Sequence, residues 1–133
     1  MAINQSQSAA KDPFAYLVPQ EFIVLTTYRK SGTTVPTTVW FAYDQGKIYI
    51  TTGTASGKIK RVRNNGRVQM TPSDRVGNLL GQPEVAGEAK EVQTSEGKER
   101  AQAVLQQKYG EQFQRIASQN TENRTYIVVE PTA

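Results

Sequence analysis

The chain has 133 residues and a net charge of +4, from 16 Lys and Arg against 12 Asp and Glu, and it contains neither Cys nor His. A length of this order predicts one domain, large enough for a core that needs no disulfide or metal. The missing Cys and His exclude a disulfide framework, a thiolate nucleophile, a Ser-His-Asp triad and a His-based zinc site. Any catalysis therefore rests on other side chains or on a bound cofactor.

Hydropathy and the composition of the N-terminal residues indicate where the folded domain begins. No apolar run approaches the roughly 20 residues of a membrane span. Residues 1–10 lack the basic and apolar regions of a signal peptide, so we expect a cytoplasmic protein without a membrane partner. Residues 1–12 are rich in Gln, Ser and Ala and predict a flexible tail, which leaves 13–133 as a single domain.

The first half of the domain reads as strands joined by short turns. A helical turn over Pro13–Val18 is expected first. Three runs rich in β-branched and aromatic residues then predict strands, separated by turn residues at 29–32 and at 44–46. The predicted strand ranges are 22–28, 34–43 and 47–52, which together form an antiparallel meander.

The second half alternates short helices and strands. A helix is predicted over Lys58–Arg63 with Ile59 and Val62 facing inward, and a longer one over Ser95–Tyr109, with Ser95 as N-cap and Gly110 as C-cap. A further helical turn is expected over 111–116. The remaining strands are predicted at 67–71, ended by Pro72, at 85–92, with a candidate bulge at Gly87, and at 125–129. This order predicts a small β-barrel decorated by helices.

The clearest functional signal is a basic segment without acidic residues. Between Asp44 and Asp74 there are six Lys or Arg side chains, five of them at 58–67, directly after the small-residue loop Gly53–Gly57. Such a loop leading into a basic helix can bind an anion, because free N–H groups and the helix dipole point at it. A solvated basic face is the plainer alternative. Nearby hydroxyl groups favour the anion site, with phosphate as the expected ligand.

The second predicted strand offers another candidate surface. Alternation places Thr38 and Trp40 on one face and Thr37, Val39 and Phe41 on the other. One face could pack in the core while the other presents a stacking surface to a planar ring. Taken alone, the pattern favours an ordinary barrel strand whose Trp lies in the core or in an interface.

Three segments resemble a known family: Leu25–Gly32, Pro36–Phe41 and Thr52–Asn64. They are similar to the pyridoxamine 5'-phosphate oxidase-like split β-barrel proteins, specifically the F420/FMN-binding, deazaflavin-dependent branch. The Ser-Gly-Lys-x-Lys-Arg stretch after Thr-Thr-Gly is the most specific part. The resemblance implies a mainly β (α+β) fold, a six-stranded antiparallel split β-barrel with two or three helices, over 13–133. Ser73 stands where a Cys is common in relatives, which excludes a thiol role there.

The resemblance also implies a cofactor site in a homodimer, at the subunit interface. By analogy, Ser56, Lys58 and Lys60 or Arg61 hold the ribityl phosphate, while the strand from Thr37 to Trp40, with Thr52, lines the ring system. The implied cofactor-binding set is Thr37, Thr38, Val39, Trp40, Thr52, Ser56, Gly57, Lys58, Lys60 and Arg61. No residue is assigned as a catalytic group or a metal ligand.

The function implied by the resemblance is an oxidoreductase that passes a hydride from F420 or FMN to a small organic acceptor. The cofactor then carries the redox chemistry, and the missing His and Cys cease to be an obstacle. One alternative is a non-catalytic carrier of a flavin or of a tetrapyrrole-sized ligand. Nucleic-acid binding through the basic segment is a weaker alternative, because the Trp and most aromatic residues lie outside it and no RNA-binding signature occurs.

Overall fold

The elements follow one another as a meander with two inserted helices. The structure is a computed structural model that describes residues 13–54, 56–112 and 124–132. A 3-10 turn at Ala15–Leu17 precedes β1 (Phe22–Tyr28), β2 (Thr34–Asp44), β3 (Lys47–Gly53), α1 (Gly57–Asn64), β4 (Arg67–Ser73), β5 (Val85–Glu91), α2 (Ser95–Tyr109) and β6 (Arg124–Pro131). Neither α-helix has the length and apolar character needed to cross a bilayer. The predicted tail at 1–12 lies outside the described residues, as do positions 113–116 of the predicted last helical turn.

The six strands close into an antiparallel barrel in the order β1-β2-β3-β6-β5-β4. Four pairings join consecutive strands: β1 with β2, β2 with β3, β4 with β5 and β5 with β6. The other two, β1 with β4 and β3 with β6, join strands that are distant in the chain and close the barrel. The predicted mainly β, six-stranded antiparallel barrel with helices is therefore confirmed.

The barrel interior is filled by every second residue of each strand, as a pleated strand requires. The inward residues are Ile23 and Leu25 of β1, Val39 and Phe41 of β2, Ile48 and Ile50 of β3, Val68 and Met70 of β4, Ala89 of β5, and Ile127 and Val129 of β6. Helix α1 adds Ile59 and Val62 to this cluster, as predicted. Helix α2 packs on the outer surface instead, where Leu105 and Tyr109 meet Tyr49 and Tyr126.

The turn of the β2–β3 hairpin has the backbone conformation that its residues predict. Gln45 has a φ of 51° and Gly46 a φ of 84°. Two consecutive residues with positive φ are what a type I′ hairpin turn requires, and its twist matches that of the flanking strands. The predicted turn at 44–46 is confirmed.

Strand ends differ from the prediction by at most two residues: β6 ends two residues later than predicted, and so does β4, at Pro72. The predicted end of the fourth strand there is wrong, because β4 continues to Ser73 and Pro72 pairs with Ile23. The Pro72 carbonyl accepts a hydrogen bond from Leu80 N, on the side away from β1. The N–H and C=O of a strand residue point to the same side, so the N–H that Pro72 lacks would also face away from β1. On that side the pairing of β4 with β5 stops at Met70 opposite Val85, and therefore no hydrogen bond between the two strands is lost at Pro72.

Two further details of the prediction are wrong. Gly87 forms no bulge, because its neighbours pair without interruption to β4 and to β6. Glycine is needed at this position because a Cβ there would lie only 2.5 Å from Cγ1 of Val129. The N-cap of α2 is Thr94 rather than Ser95, since the Thr94 hydroxyl accepts a hydrogen bond from Gly97 N at 3.0 Å. Gly110 is the C-cap, as predicted.

Candidate functional site

The barrel is split where β2 and β3 separate. From Phe41 to Asp44, β2 pairs with β3, but from Thr34 to Trp40 it pairs with β1 alone. Beyond the Phe41–Ile50 pair, β3 pairs only with β6, as far as Gly53 opposite Arg124. This leaves a gap in the barrel wall and an edge of β2 that is unpaired among the described strands. Such an edge carries backbone N–H and C=O groups that can serve a ligand.

A cavity of about 320 Å³ lies in this gap. Its lining comes from β2 and β3, from the start of β6 and from the loop and first turn of α1. Six of the ten predicted cofactor-binding residues line it: Thr38, Val39, Trp40, Thr52, Ser56 and Lys58. Thr51, Gly53 and Arg124 complete the described lining.

The N-terminus of α1 is capped by the Ser56 hydroxyl, which contacts the Thr52 hydroxyl. Ser56 is the N-cap, with Oγ accepting from Ile59 N at 3.3 Å and lying 3.0 Å from Thr52 Oγ1. If Thr52 donates within that pair, the Ser56 hydroxyl proton stays available to an anion in the cavity. Ile59 anchors the helix in the core, so the N-terminal end of α1 is fixed at the rim of the cavity.

Two cationic side chains without a carboxylate partner face the cavity. The ion pairs formed by the described residues involve neither Lys58 nor Arg124. Burial lowers the pKa of Lys58, and the charges of Arg61 and Arg124 lower it further. Arg124 Nε is buried and has no hydrogen-bond partner in the described part of the chain. A buried donor without an acceptor is costly, so this arrangement is suited to an anion that would supply one.

The other four predicted residues lie around the cavity rather than in its lining. Thr37 lines a neighbouring cavity, and Gly57 begins α1. The guanidinium of Arg61 turns to β1, where Nε donates to Thr27 Oγ1 at 2.6 Å. A Cβ at Gly57 would lie 2.7 Å from Arg61 Nη1, so this glycine leaves room for that side chain. Lys60 is exposed on the opposite side of the helix.

Trp40 is held in place from behind the cavity by α2. Its ring stacks on that of Tyr109, with centroids 4.6 Å and planes 19° apart, and meets the edge of Phe22 at 6.2 Å. The Tyr109 hydroxyl accepts from Phe41 N at 2.9 Å, which ties α2 to the strand that carries Trp40. The half-buried Trp40 is therefore positioned in the cavity wall by its stacking on the buried ring of Tyr109.

Arg124 is a cavity-lining residue that the sequence analysis did not single out. It stands at the first position of β6 and reaches the cavity because Gly53 and Arg124 pair across β3 and β6. That pairing joins strands more than 70 positions apart, so no local pattern reveals it. The only sequence signal is the outward alternation of Arg124 with Tyr126 and Val128. In the described residues, no group of His, Cys, Asp and Glu could hold a metal ion.

The arrangement can bind an anionic group next to a flat surface. Lys58, Arg124 and the N-terminal end of α1 supply positive charge and donors at one end. At the other end, Thr38, Val39 and Trp40 offer a strand edge that no described strand pairs with and that a planar molecule could contact. The positive charge and the strand edge lie in one continuous cavity, so a single ligand could use both.

Solved structures of the same fold come from several proteins. The chain has 19% identity and a TM-score of 0.63 with a candidate pyridoxamine 5'-phosphate oxidase from Listeria innocua, over 86% of each chain. It has 13% identity and a TM-score of 0.69 with HutZ, the heme storage protein of Vibrio cholerae, over 86% of this chain and 83% of that one. With an F420 reductase it has 23% identity and a TM-score of 0.59, over 89% and 92%.

These identities show a shared fold. A comparison with curated protein sequences finds no match. The family model described as pyridoxamine 5'-phosphate oxidase matches residues 14–133, nearly the whole chain and all of the barrel. The chain belongs to the pyridoxamine 5'-phosphate oxidase family.

Proposed function

We propose that this protein binds FMN or F420 in the cavity between β2 and β3 and passes a hydride from the reduced cofactor to a small organic acceptor. The observation that carries the proposal is the pair of Lys58 and Arg124, two cations that face the cavity without a carboxylate partner among the described residues. Both cofactors carry a ribityl phosphate. Family membership and the F420 reductase of the same fold support the choice of cofactor class.

The residues present fit such a cofactor. The phosphate would accept hydrogen bonds from the Nε–H of Arg124, which has no partner among the described residues, from the ammonium of Lys58 and from the hydroxyl of Ser56. The ring system would lie along Thr38 and Trp40, where the unpaired edge of β2 offers backbone groups to its polar rim. When bound, the cofactor supplies hydride transfer, a reaction that the side chains themselves cannot perform. The protein would bind the cofactor and orient it.

A homodimer is part of the proposal. The cavity is open on the outer surface of the barrel, so a flat ring bound there keeps one face exposed. A second copy of the chain would supply the missing wall. Val76 and Leu79, which stay exposed although they line the neighbouring cavity, support an interface here.

The phosphate contact is tested by comparing FMN with riboflavin, which has the same ring and no phosphate. We expect FMN to bind more tightly, and Lys58→Ala to weaken FMN by about 1–3 kcal/mol, or about 5- to 150-fold, while riboflavin affinity stays unchanged. Lys60→Ala is the matched control, because Lys60 lies on the exposed side of the same helix. Fluorescence titration gives the affinities, and the same titration with F420 selects between the cofactors.

Two outcomes would contradict the proposal. Equal affinities for FMN and riboflavin would mean that the cationic pair does not bind the phosphate. If the cofactor binds tightly but its reduced form is not oxidised by any acceptor supplied, as judged from its absorbance, the protein is a carrier and not an enzyme.

A heme or other tetrapyrrole carrier is the second candidate, because the heme storage protein HutZ shares the fold. The same cations could pair with heme propionates. The 133 residues contain no His or Cys, however, so the iron could take an axial ligand only from Tyr, Met or Lys. Titration with hemin decides: tight binding with a sharp Soret band, without any flavin binding, would replace the oxidoreductase proposal.

A further inference from the structure

The last turn of α2 meets the barrel at the point where the barrel splits. Phe41 and Ile50 form the last pair between β2 and β3 before the cavity opens. On the other side of β2, the pairing with β1 stops at Trp40, opposite Phe22. Phe41 is therefore the residue at which β2 is held by β3 on one side and by none of the described strands on the other.

The Tyr109 hydroxyl occupies the position of the next pair in the ladder between β1 and β2. The register of that ladder would place Glu21 opposite Phe41. Instead the hydroxyl lies between them: it accepts from Phe41 N at 2.9 Å, and its oxygen lies 2.6 Å from Phe41 O and 2.7 Å from Glu21 O. Its single proton can serve one of these two carbonyls. Burial raises the pKa of Tyr109, so the hydroxyl keeps this proton and both accepts and donates.

A side-chain oxygen in that position keeps the two backbones apart. In an antiparallel ladder, the N–H of one residue bonds directly to the carbonyl of the residue opposite, and the strands lie about 4.8 Å apart. Phe41 N and Glu21 O share the Tyr109 oxygen instead, so the hydroxyl separates a donor and an acceptor that would otherwise meet. It thus limits how closely β2 approaches the segment that precedes β1.

The residue before Tyr109 contacts the same two segments. Lys108 Nζ lies 3.6 Å from the centroid of the Phe41 ring and donates to Gln20 O. Ala101 and Leu105 are fully buried beneath the helix, which fixes its place on the barrel. Two consecutive side chains of α2 therefore hold β2 and the segment before β1 in a fixed relation.

The effect reaches the cavity through Trp40, which directly precedes Phe41. Trp40 lines the cavity, and its ring stacks on that of Tyr109 with centroids 4.6 Å apart. From Thr38 to Trp40, β2 has no partner on the cavity side among the described strands. Its position there depends on how it is held at Phe41, so a shift of β2 at Phe41 would change the width of the gap between β2 and β3.

We propose that Tyr109 is a positioning residue of the cavity, and that its hydroxyl sets the width of the split at the end where the cofactor ring binds. The inference rests on the proposed function for the identity of the ligand. Without the hydroxyl, Phe41 N can bond directly to Glu21 O, which draws β2 toward β1 and away from β3. The ring then loses contacts on β2, whereas the phosphate keeps its contacts with Lys58 and Arg124.

The experiment compares Tyr109→Phe, which removes only the hydroxyl, with Tyr49→Phe as the matched control. Tyr49 belongs to the same buried cluster, but its hydroxyl interacts with Arg100 and not with β2. We expect Tyr109→Phe to weaken FMN and riboflavin by the same factor, about 3- to 10-fold, because ring contacts change and phosphate contacts do not. Tyr49→Phe should change neither affinity. Affinities equal to those of the control, or a loss confined to FMN, would overturn the proposal.

Trp40 supplies a second readout, in the protein without ligand. It is the only Trp, so the long-wavelength end of the near-ultraviolet circular dichroism spectrum reports on its ring alone. We expect Tyr109→Phe to change this signal and to increase quenching of Trp40 fluorescence by acrylamide, while Tyr49→Phe does neither. If neither FMN nor F420 binds, the proposed function fails, and a changed Trp40 signal still supports the role of Tyr109 in placing β2. Trp40 signals equal to those of the control would overturn that role with or without a ligand.

Discussion

Lys108 is the residue whose charge is least expected from its surroundings. It is half-buried near the end of α2, where Nζ lies 3.6 Å from the centroid of the Phe41 ring and donates to Gln20 O. Burial lowers the pKa of Lys108 to about 8, and the charge of Glu21 opposes that shift. The cation–π contact and the carbonyl offset part of the cost of burying the charge. The part of the cost that is not offset lowers the pKa of Lys108, so its contribution to stability depends on pH.

Lys108 should make the protein more stable as the pH rises. Its pKa is about 8 in the folded chain and 10.5 in its ordinary state. Between these values the unfolded chain binds more protons than the folded one, so the free energy of unfolding increases with pH. Replacing it by methionine, Lys108→Met, removes this contribution. Urea unfolding of both proteins at about pH 7 and about pH 9.5 should therefore show a steeper rise for the wild type. Parallel changes in the two proteins would contradict the assignment.

Among the elements, β5 depends on the absence of a side chain at Gly87. A Cβ there would meet Cγ1 of Val129 at 2.5 Å and the carbonyl of Glu130 at 3.3 Å. Both belong to the neighbouring strand, which is fixed by its pairing on both sides and cannot easily move. We expect Gly87→Ala to lower the free energy of unfolding by about 1–3 kcal/mol. Denaturant titration measures the change, with Lys90→Arg on the exposed face of β5 as control. A stability equal to that of the control would mean that the strands can separate at no cost.

The limits of prediction from sequence follow from the range of each interaction. Period-2 alternation and turn residues act locally, so the strands and the β2–β3 hairpin could be predicted to within two residues. The choice of Thr94 over Ser95 as N-cap depends on which hydroxyl reaches Gly97 N, which the sequence leaves open. The place of Arg124 in the site depends on a pairing between distant strands. The candidate anion site could be proposed from α1 and its loop, whereas the second cation of the cavity, Arg124, could not.

At the scale of the whole molecule, the two adjoining cavities have opposite electrostatic character. Lys58 and Arg124 make the cavity between β2 and β3 cationic, whereas Glu84 is the one charged residue in the described lining of the neighbouring cavity. Thr38 joins them on the strand that leaves the barrel wall. An anionic ligand would therefore be attracted to the first cavity and repelled from the second before it makes a specific contact. The split of the barrel is what brings the two environments side by side.

The same split leads to the last prediction, that cofactor binding and dimer formation are linked. A ring between two copies contacts both, so ligand binding must favour the assembled form by mass action. We expect sedimentation equilibrium to show a mass of two chains at lower protein concentration with FMN or F420 than without it. Lys58→Ala should reduce that effect, because it weakens the phosphate contact, and Lys60→Ala should leave it unchanged. A mass of one chain at every concentration, with the cofactor bound at full affinity, would show that one barrel holds the ligand by itself.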